Sequence, residues 1–233
     1  MMIFAINRLD KSFFFRFALL PILLLAGTAA FAFSPEQFVR DARSQIGKTL
    51  YYDPAYVRIP YPSGDVPIDR GVCTDVVIRA LRQQGIDLQK SVHEDMRKNF
   101  HRYPSARQWG LKKPDANIDH RRVLNLQRYF ERQGYAVADE TFLPGDIVTW
   151  TLRSQVEHIG IVSDRKTPSG QRPLIIHNIG QGTQEEDILH SFTITGHYRI
   201  VQAVRGKQQG QGARSTPQHG VHGEGKQAQP VYI

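Results

Sequence analysis

One cysteine and nine histidines are the side chains of this 233-residue chain best suited to nucleophilic or acid-base chemistry near neutral pH. Cys73 stands in Gly71-Val72-Cys73-Thr74-Asp75, at the head of an apolar helical period made by Val76, Val77, Ala80 and Leu81 and closed by Gly85. A thiol there faces unpaired N–H groups and the positive end of the helix dipole, both of which favour the thiolate. A lone cysteine is equally at home as a small buried hydrophobe. Two histidines point towards chemistry. His158 heads the run Glu157-His158-Ile159-Gly160-Ile161-Val162, and His177 lies near the end of Leu174-Ile175-Ile176-His177-Asn178. A cysteine on a helix start with imidazoles on two neighbouring strands fits a nucleophile, a base and an orienting group.

A single thiol excludes an intrachain disulfide and any multi-cysteine zinc or iron-sulfur site. Cys73, His158 and His177 could be read as a metal set, but no helical His-Glu-x-x-His motif accompanies them, so neither metal nor other cofactor is expected. His219 and His222 fall in a polar tail and read as solvated.

The elements that must position these groups follow from pattern. Ser34-Pro35-Glu36-Gln37 is an N-cap, a proline at the first helical position and a Gln at the third, followed by apolar Phe38, Ala42 and Ile46 and stopped by Gly47. From Lys48 to Arg70, Pro54, Pro60, Pro62 and Pro67 mix with Tyr51, Tyr52, Tyr56 and Tyr61 in an aromatic loop. Helices are expected from about Cys73 to Gln84, through Leu88, Val92, Met96 and Phe100, and through Val123, Leu124, Gln127 and Phe130, the last capped by Asn117 or Asp119. After Pro144-Gly145 the period changes. Asp146 to Leu152, Val156 to Ser163, Pro173 to Ile179 and Tyr198 to Val204 read as strands. Helices followed by consecutive strands predict an α+β fold with an antiparallel sheet. No internal repeat is visible.

Both ends read as appendages. Arg8, Lys11 and Arg16 precede the apolar run Phe17 to Phe31, which closes in Ala30-Phe31-Ala32, so residues 1–32 are expected to be a secretory signal peptide cleaved after Ala32. Its removal takes away three basic residues and one acidic, leaving +6 of the whole chain's +8. No stable membrane anchor is expected after cleavage, and the product is periplasmic or secreted. Residues 206–233 lack an apolar period and are expected to be disordered. The folded unit is then 33–205. Without a basic helix or a basic-aromatic repeat, nucleic acid is not an expected partner.

The order of helix, aromatic loop, cysteine at a helix start, Pro144-Gly145-Asp146-Ile147-Val148, His158-Ile159-Gly160-Ile161-Val162 and Ile175-Ile176-His177 resembles the NlpC-type cell-wall peptidases of the papain-like cysteine hydrolases, over roughly Phe33 to Val204. The wording around it, Gly71 to Asp75, Asn117-Ile118-Asp119-His120-Arg121-Arg122 and Thr195-Gly196-His197-Tyr198-Arg199, is similar to an exported bacterial branch catalogued only as a domain of unknown function. The resemblance implies a sheet packed against the cysteine helix and hydrolysis of amides in peptidoglycan stem peptides. It implies Cys73 as nucleophile, His158 as its base and His177 as the group that orients His158. The chain departs from the family's Asp-Cys-Ser-Gly with Val72-Cys73-Thr74-Asp75, and the proline-rich loop from Tyr51 replaces its Trp-Gly-Gly.

Several roles stay open on sequence. A family tyrosine from the loop lines the site, and Tyr52 is the nearest match with Tyr61 a competitor. His177 and Asn178 alternate across a strand, so only one of them can orient His158, and Asn178, like Tyr52 and Asp75, is also a candidate for holding substrate or the oxyanion. Asp75 either holds a substrate amine or favours the first helical turn. His120 reads as solvated, Asp146 as turn chemistry, and Trp109 and Trp150 as core aromatics, with Trp109 also placed to stack on substrate. Three other functions share these residues: a non-catalytic wall-binding module, an acyltransferase, and an antibacterial amidase.

Overall fold

The computed structural model describes residues 32–201. The leader and tail expected at the two ends lie outside the described residues, except for Ala32. Among the described residues no helix is long and apolar enough to cross a membrane.

Helix α1 (Pro35–Arg43) starts as its sequence dictates, with the Ser34 hydroxyl accepting from Gln37 N–H and Pro35 in the first turn. A two-stranded parallel ribbon, β1 (Tyr51–Tyr52) with β2 (Arg70–Gly71), closes the proline-rich loop. Helix α2 (Cys73–Gln83) follows at once, and its first nine residues are all buried. Arg79 of α2 fastens the loop, donating to Asp65, to the Thr49 hydroxyl and to the carbonyls of Val66, Pro67 and Arg70. Helices α3 (Leu88–Asn99), α4 (Pro104–Arg107) and α5 (Val123–Arg132) complete the helical half.

The second half is a five-stranded antiparallel sheet of β3 (Ile147–Thr151), β4 (Glu157–Lys166), β5 (Pro173–His177), β6 (Gln184–Glu186) and β7 (Thr193–Tyr198), in the order β6-β5-β4-β3-β7. The α+β architecture is the one expected. Two strands differ: the last covers Thr193–Tyr198 rather than Tyr198 to Val204, and β6 has no counterpart in the sequence reading. Strand β6 has no apolar alternation, and ion pairs hold it instead: Glu185 accepts from Arg43 of α1 at 2.9 Å and from Arg165 of β4 at 3.0 Å.

Each face of the sheet has its own core. Ile147, Ile159, Ile161, Ile176 and Tyr198 pack with α1, α2, α3 and α5 in one cluster that includes Cys73. Val148, Trp150, Val162, Ile175 and Leu189 form a second cluster with Phe142, Ile188, Phe192 and Ile194. Side chains alternate along β3, β4 and β5, so that adjacent apolar residues such as Ile147 and Val148, Ile161 and Val162, or Ile175 and Ile176 fall in opposite clusters.

Candidate active site

Val72 is the N-cap of α2 and Cys73 its first residue. The cap cannot use a Val side chain, so Asp75 reaches back and its Oδ2 accepts from Val72 N–H at 2.7 Å. The same carboxylate is held by Arg121, with Nε–Oδ1 at 3.0 Å and Nη2–Oδ2 at 2.9 Å, and both side chains are almost fully buried. The Arg121 carbonyl accepts from the Thr74 hydroxyl at 3.1 Å. Asp75 is thus occupied at the helix start, and a β-carbon on Gly71 would come within 2.9 Å of its Oδ2. Glycine at 71 is what lets the carboxylate close back over the cap.

The Cys73 sulfur is met by the N–H groups of Ile159, Thr74 and Cys73 itself, all of which favour the thiolate, but burial outweighs them and pushes the thiol up to about 12. Of the two readings left open on sequence, burial is the one met here: the side chain is fully buried, and desolvation favours the protonated thiol. Strand β3 pairs with β4 down to Glu157, whereas β5 ends at His177, opposite Gly160. A strand N–H points within the plane of its sheet, so a sulfur at Ile159 N–H stands where a continued β5 would lie. Asn178 leaves that space open by turning away to donate to the Gly71 carbonyl at 3.1 Å.

His158 lies across from Trp150, with ring centroids 5.9 Å apart, and so projects on the face of the second cluster. Its Nε2 is 3.0 Å from Nδ1 of His177, with the rings edge to face at 86°. Gly160 makes this approach possible, because a β-carbon there would lie 3.2 Å from Cβ of His177 and 2.6 Å from Cγ2 of Ile175. Burial, with His177 adding to it, pushes His158 down to about 3, and burial lowers His177 as well.

The tautomers follow from one further contact, His177 Nε2 to Glu186 Oε2 at 3.0 Å. A carboxylate only accepts, so His177 carries its proton on Nε2 and offers Nδ1 as an acceptor. His158 must then donate from Nε2. Its Nδ1 is left with a bare lone pair, the form that a base for a thiol requires. Glu186 was missed on sequence because Gln184-Glu185-Glu186 shows no strand pattern. A carboxylate within ten residues of the second histidine was the only signal.

The remaining expected residues are placed as follows. Tyr52 packs with Val72 and Ile118, and burial, with Cys73 and Asp75 nearby, raises its phenol. Tyr61 is exposed and sits edge-on to His93. His120, expected to be solvated, is buried with Nδ1 unpartnered, and burial pushes it down to about 3. Asp119 does not cap α5. Its carboxylate accepts from Asp115 N–H, Ser105 and Arg122, while Arg122 is an N-cap without a side-chain bond. Asp146 does close its turn by accepting from Leu143 N–H, and it also binds His197 and Arg199. Trp150 is core, but Trp109 is not: it lies half-buried against a cavity. Among the described residues no group of three or more His, Cys, Asp or Glu is arranged to hold a metal ion.

The class defined by this fold and site is an α+β protein with a helix-start cysteine beside a paired-histidine strand edge. Over residues 39–200 the chain matches DUF1287, a domain of unknown function, and it belongs to that family. It is 57% identical over 162 residues to YijF, an uncharacterised protein of Escherichia coli strain K12, a match that covers 68% of this chain and 78% of that protein. A solved structure of NlpC1 from Trichomonas vaginalis aligns with a TM-score of 0.38 at 16% identity, covering 72% of this chain and 45% of that one.

Proposed function

We propose that the chain is an exported cysteine hydrolase that cleaves an amide bond in peptidoglycan stem peptides, with Cys73 as nucleophile, His158 as base and His177 as its orienting group. The observation that carries this reading is the ordered relay from Glu186 through His177 to His158, on the strand whose next residue, Ile159, meets the Cys73 sulfur with its N–H. In the resting state thiol and imidazole are both neutral. Substrate binding brings the proton from Sγ to Nδ1 of His158 as sulfur attacks the carbonyl carbon, and Cys73 N–H donates to the developing oxyanion. The imidazolium then protonates the leaving amine and, once neutral, activates water to release the acyl group.

The test is digestion of purified peptidoglycan by the mature protein and by Cys73→Ala. Soluble fragments from the wild type and none from a folded Cys73→Ala protein support the reading, and release of the same fragments by the variant overturns it. The buried, protonated thiol favours a second reading, a wall-binding module on the same fold. It would bind peptidoglycan and release nothing.

A further inference from the structure

A cavity of about 230 Å³ is walled by Trp109, Arg122, Val123, Val156 and Glu157 among others. Two of its wall residues are chain neighbours of the candidate groups or of residues that hold them. Glu157 immediately precedes His158, and Arg122 follows Arg121, whose carbonyl accepts from Thr74 next to Cys73. Glu157 and its cross-strand neighbour Thr151 lie on the helix face of the sheet, the face to which Cys73 belongs.

The charges in the wall are not equally satisfied. Arg122 lies over the Trp109 ring, 4.7 Å from its centroid, and its Nη1 is 3.1 Å from Asp119 Oδ1, so its charge is already answered. Glu157 is different. Its Oε1 accepts from the Thr151 hydroxyl at 3.0 Å, while Oε2 is shut off from solvent without any hydrogen-bond partner among the described residues. A buried carboxylate oxygen left bare is costly, and burial raises this carboxyl group's affinity for its proton. The last torsion of a glutamate is soft and broad, so the carboxylate can turn to meet a donor that enters the cavity.

We propose that this cavity is a subsite for a primary ammonium group of the substrate and that Glu157 is the residue that takes it. The space suits one amine-bearing side chain, with Trp109 and the two valines flanking its methylenes. The proposal rests on the cysteine-hydrolase reading for its biological substrate, but the amine recognition itself can be tested without turnover.

The experiment uses Cys73→Ala protein and the N-terminally acetylated tripeptide Ala-Glu-Lys with its ε-amine free or acetylated. Trp109 reports binding, since the chain has only two tryptophans and Trp150 is fully buried in the other cluster. The free-amine peptide is expected to bind at least tenfold more tightly than the acetylated one at pH 7. Glu157→Gln on the same background keeps an acceptor for Thr151 and is expected to reduce the preference to less than twofold. The preference also fades as pH falls and Glu157 takes up its proton. Equal affinity for the two peptides, binding of neither up to millimolar concentration, or a preference that survives Glu157→Gln overturns the proposal. A retained preference in a wild-type protein that releases nothing from peptidoglycan would instead overturn the hydrolase reading and leave the amine subsite standing.

Discussion

Removing His158 should leave the reactivity of the resting thiol unchanged while abolishing turnover. The basis is that Cys73 is pushed up to about 12 and His158 down to about 3, so the proton stays on sulfur across the physiological range. A thiol near 12 is ionised at pH 7 to about one part in 10⁵, against about 3% for an ordinary thiol with a pKa of about 8.5. Alkylation by iodoacetamide should therefore be about 3,000-fold slower than for free cysteine, before any penalty for burial. Mass spectrometry of the adduct between pH 6 and 10 should show a rate rising tenfold per pH unit with no plateau, and the same line for His158→Ala. A plateau below pH 8 in the wild type that disappears in His158→Ala would mean that a thiolate-imidazolium pair exists at rest, and the reasoning from burial would be refuted.

Glu186→Lys places a donor where the relay needs an acceptor. It reverses both tautomers, and kcat should fall by about 10² to 10⁴ with KM little changed, as a wrong histidine tautomer does elsewhere; undiminished turnover would remove Glu186 from the relay. Gly160→Ala inserts a β-carbon against Ile175 and His177 and should cost about 1–3 kcal/mol in urea unfolding, with altered His158 and His177 imidazole resonances. Arg121→Met strands the buried Asp75 charge and should cost about 3–5 kcal/mol, most of it regained in the Asp75→Asn/Arg121→Met double variant. Acid should destabilise the fold early: His158 and His120 have folded pKa values of about 3 against an ordinary 6.5, so their contribution is complete above pH 6.5 and shrinks as pH falls from 6.5 towards 3. At pH 5 the loss is on the order of 2 kcal/mol for each, and chemical denaturation of wild type and His120→Asn, whose loss should be about half, measures it.

Local pattern carried much of the fold. The start of α1, the position of Cys73 at the head of α2 and the apolar runs of β3 to β5 all follow from spacing of a few residues, because caps and periodicity are local properties. What spacing could not reach was set by distant partners. Strand β6 depends on Arg43, more than 140 residues away, and the proline-rich loop on Arg79. His120 reads as polar on sequence, yet α3 and its neighbours bury it. The same limit applied to the site. Strand alternation narrowed the partner of His158 to one of two adjacent residues, but only the fold turns Asn178 to Gly71 and His177 to His158. The state of the thiol stayed open on sequence because a helix start is visible there and desolvation is not.

The division of the sheet into two cores bears on how this domain can evolve. Cys73 and its helix belong to one cluster, while His158 and His177 rest on Trp150 and the opposite cluster, so the two halves of the site have separate supporting residues. Substitutions among Leu189, Ile188 and Phe192 act on the imidazole side of the sheet, and substitutions along α2 act on the thiol side. Drift in either core can therefore alter the placing of the thiol or of the imidazoles one half at a time, without endangering the fold that presents them.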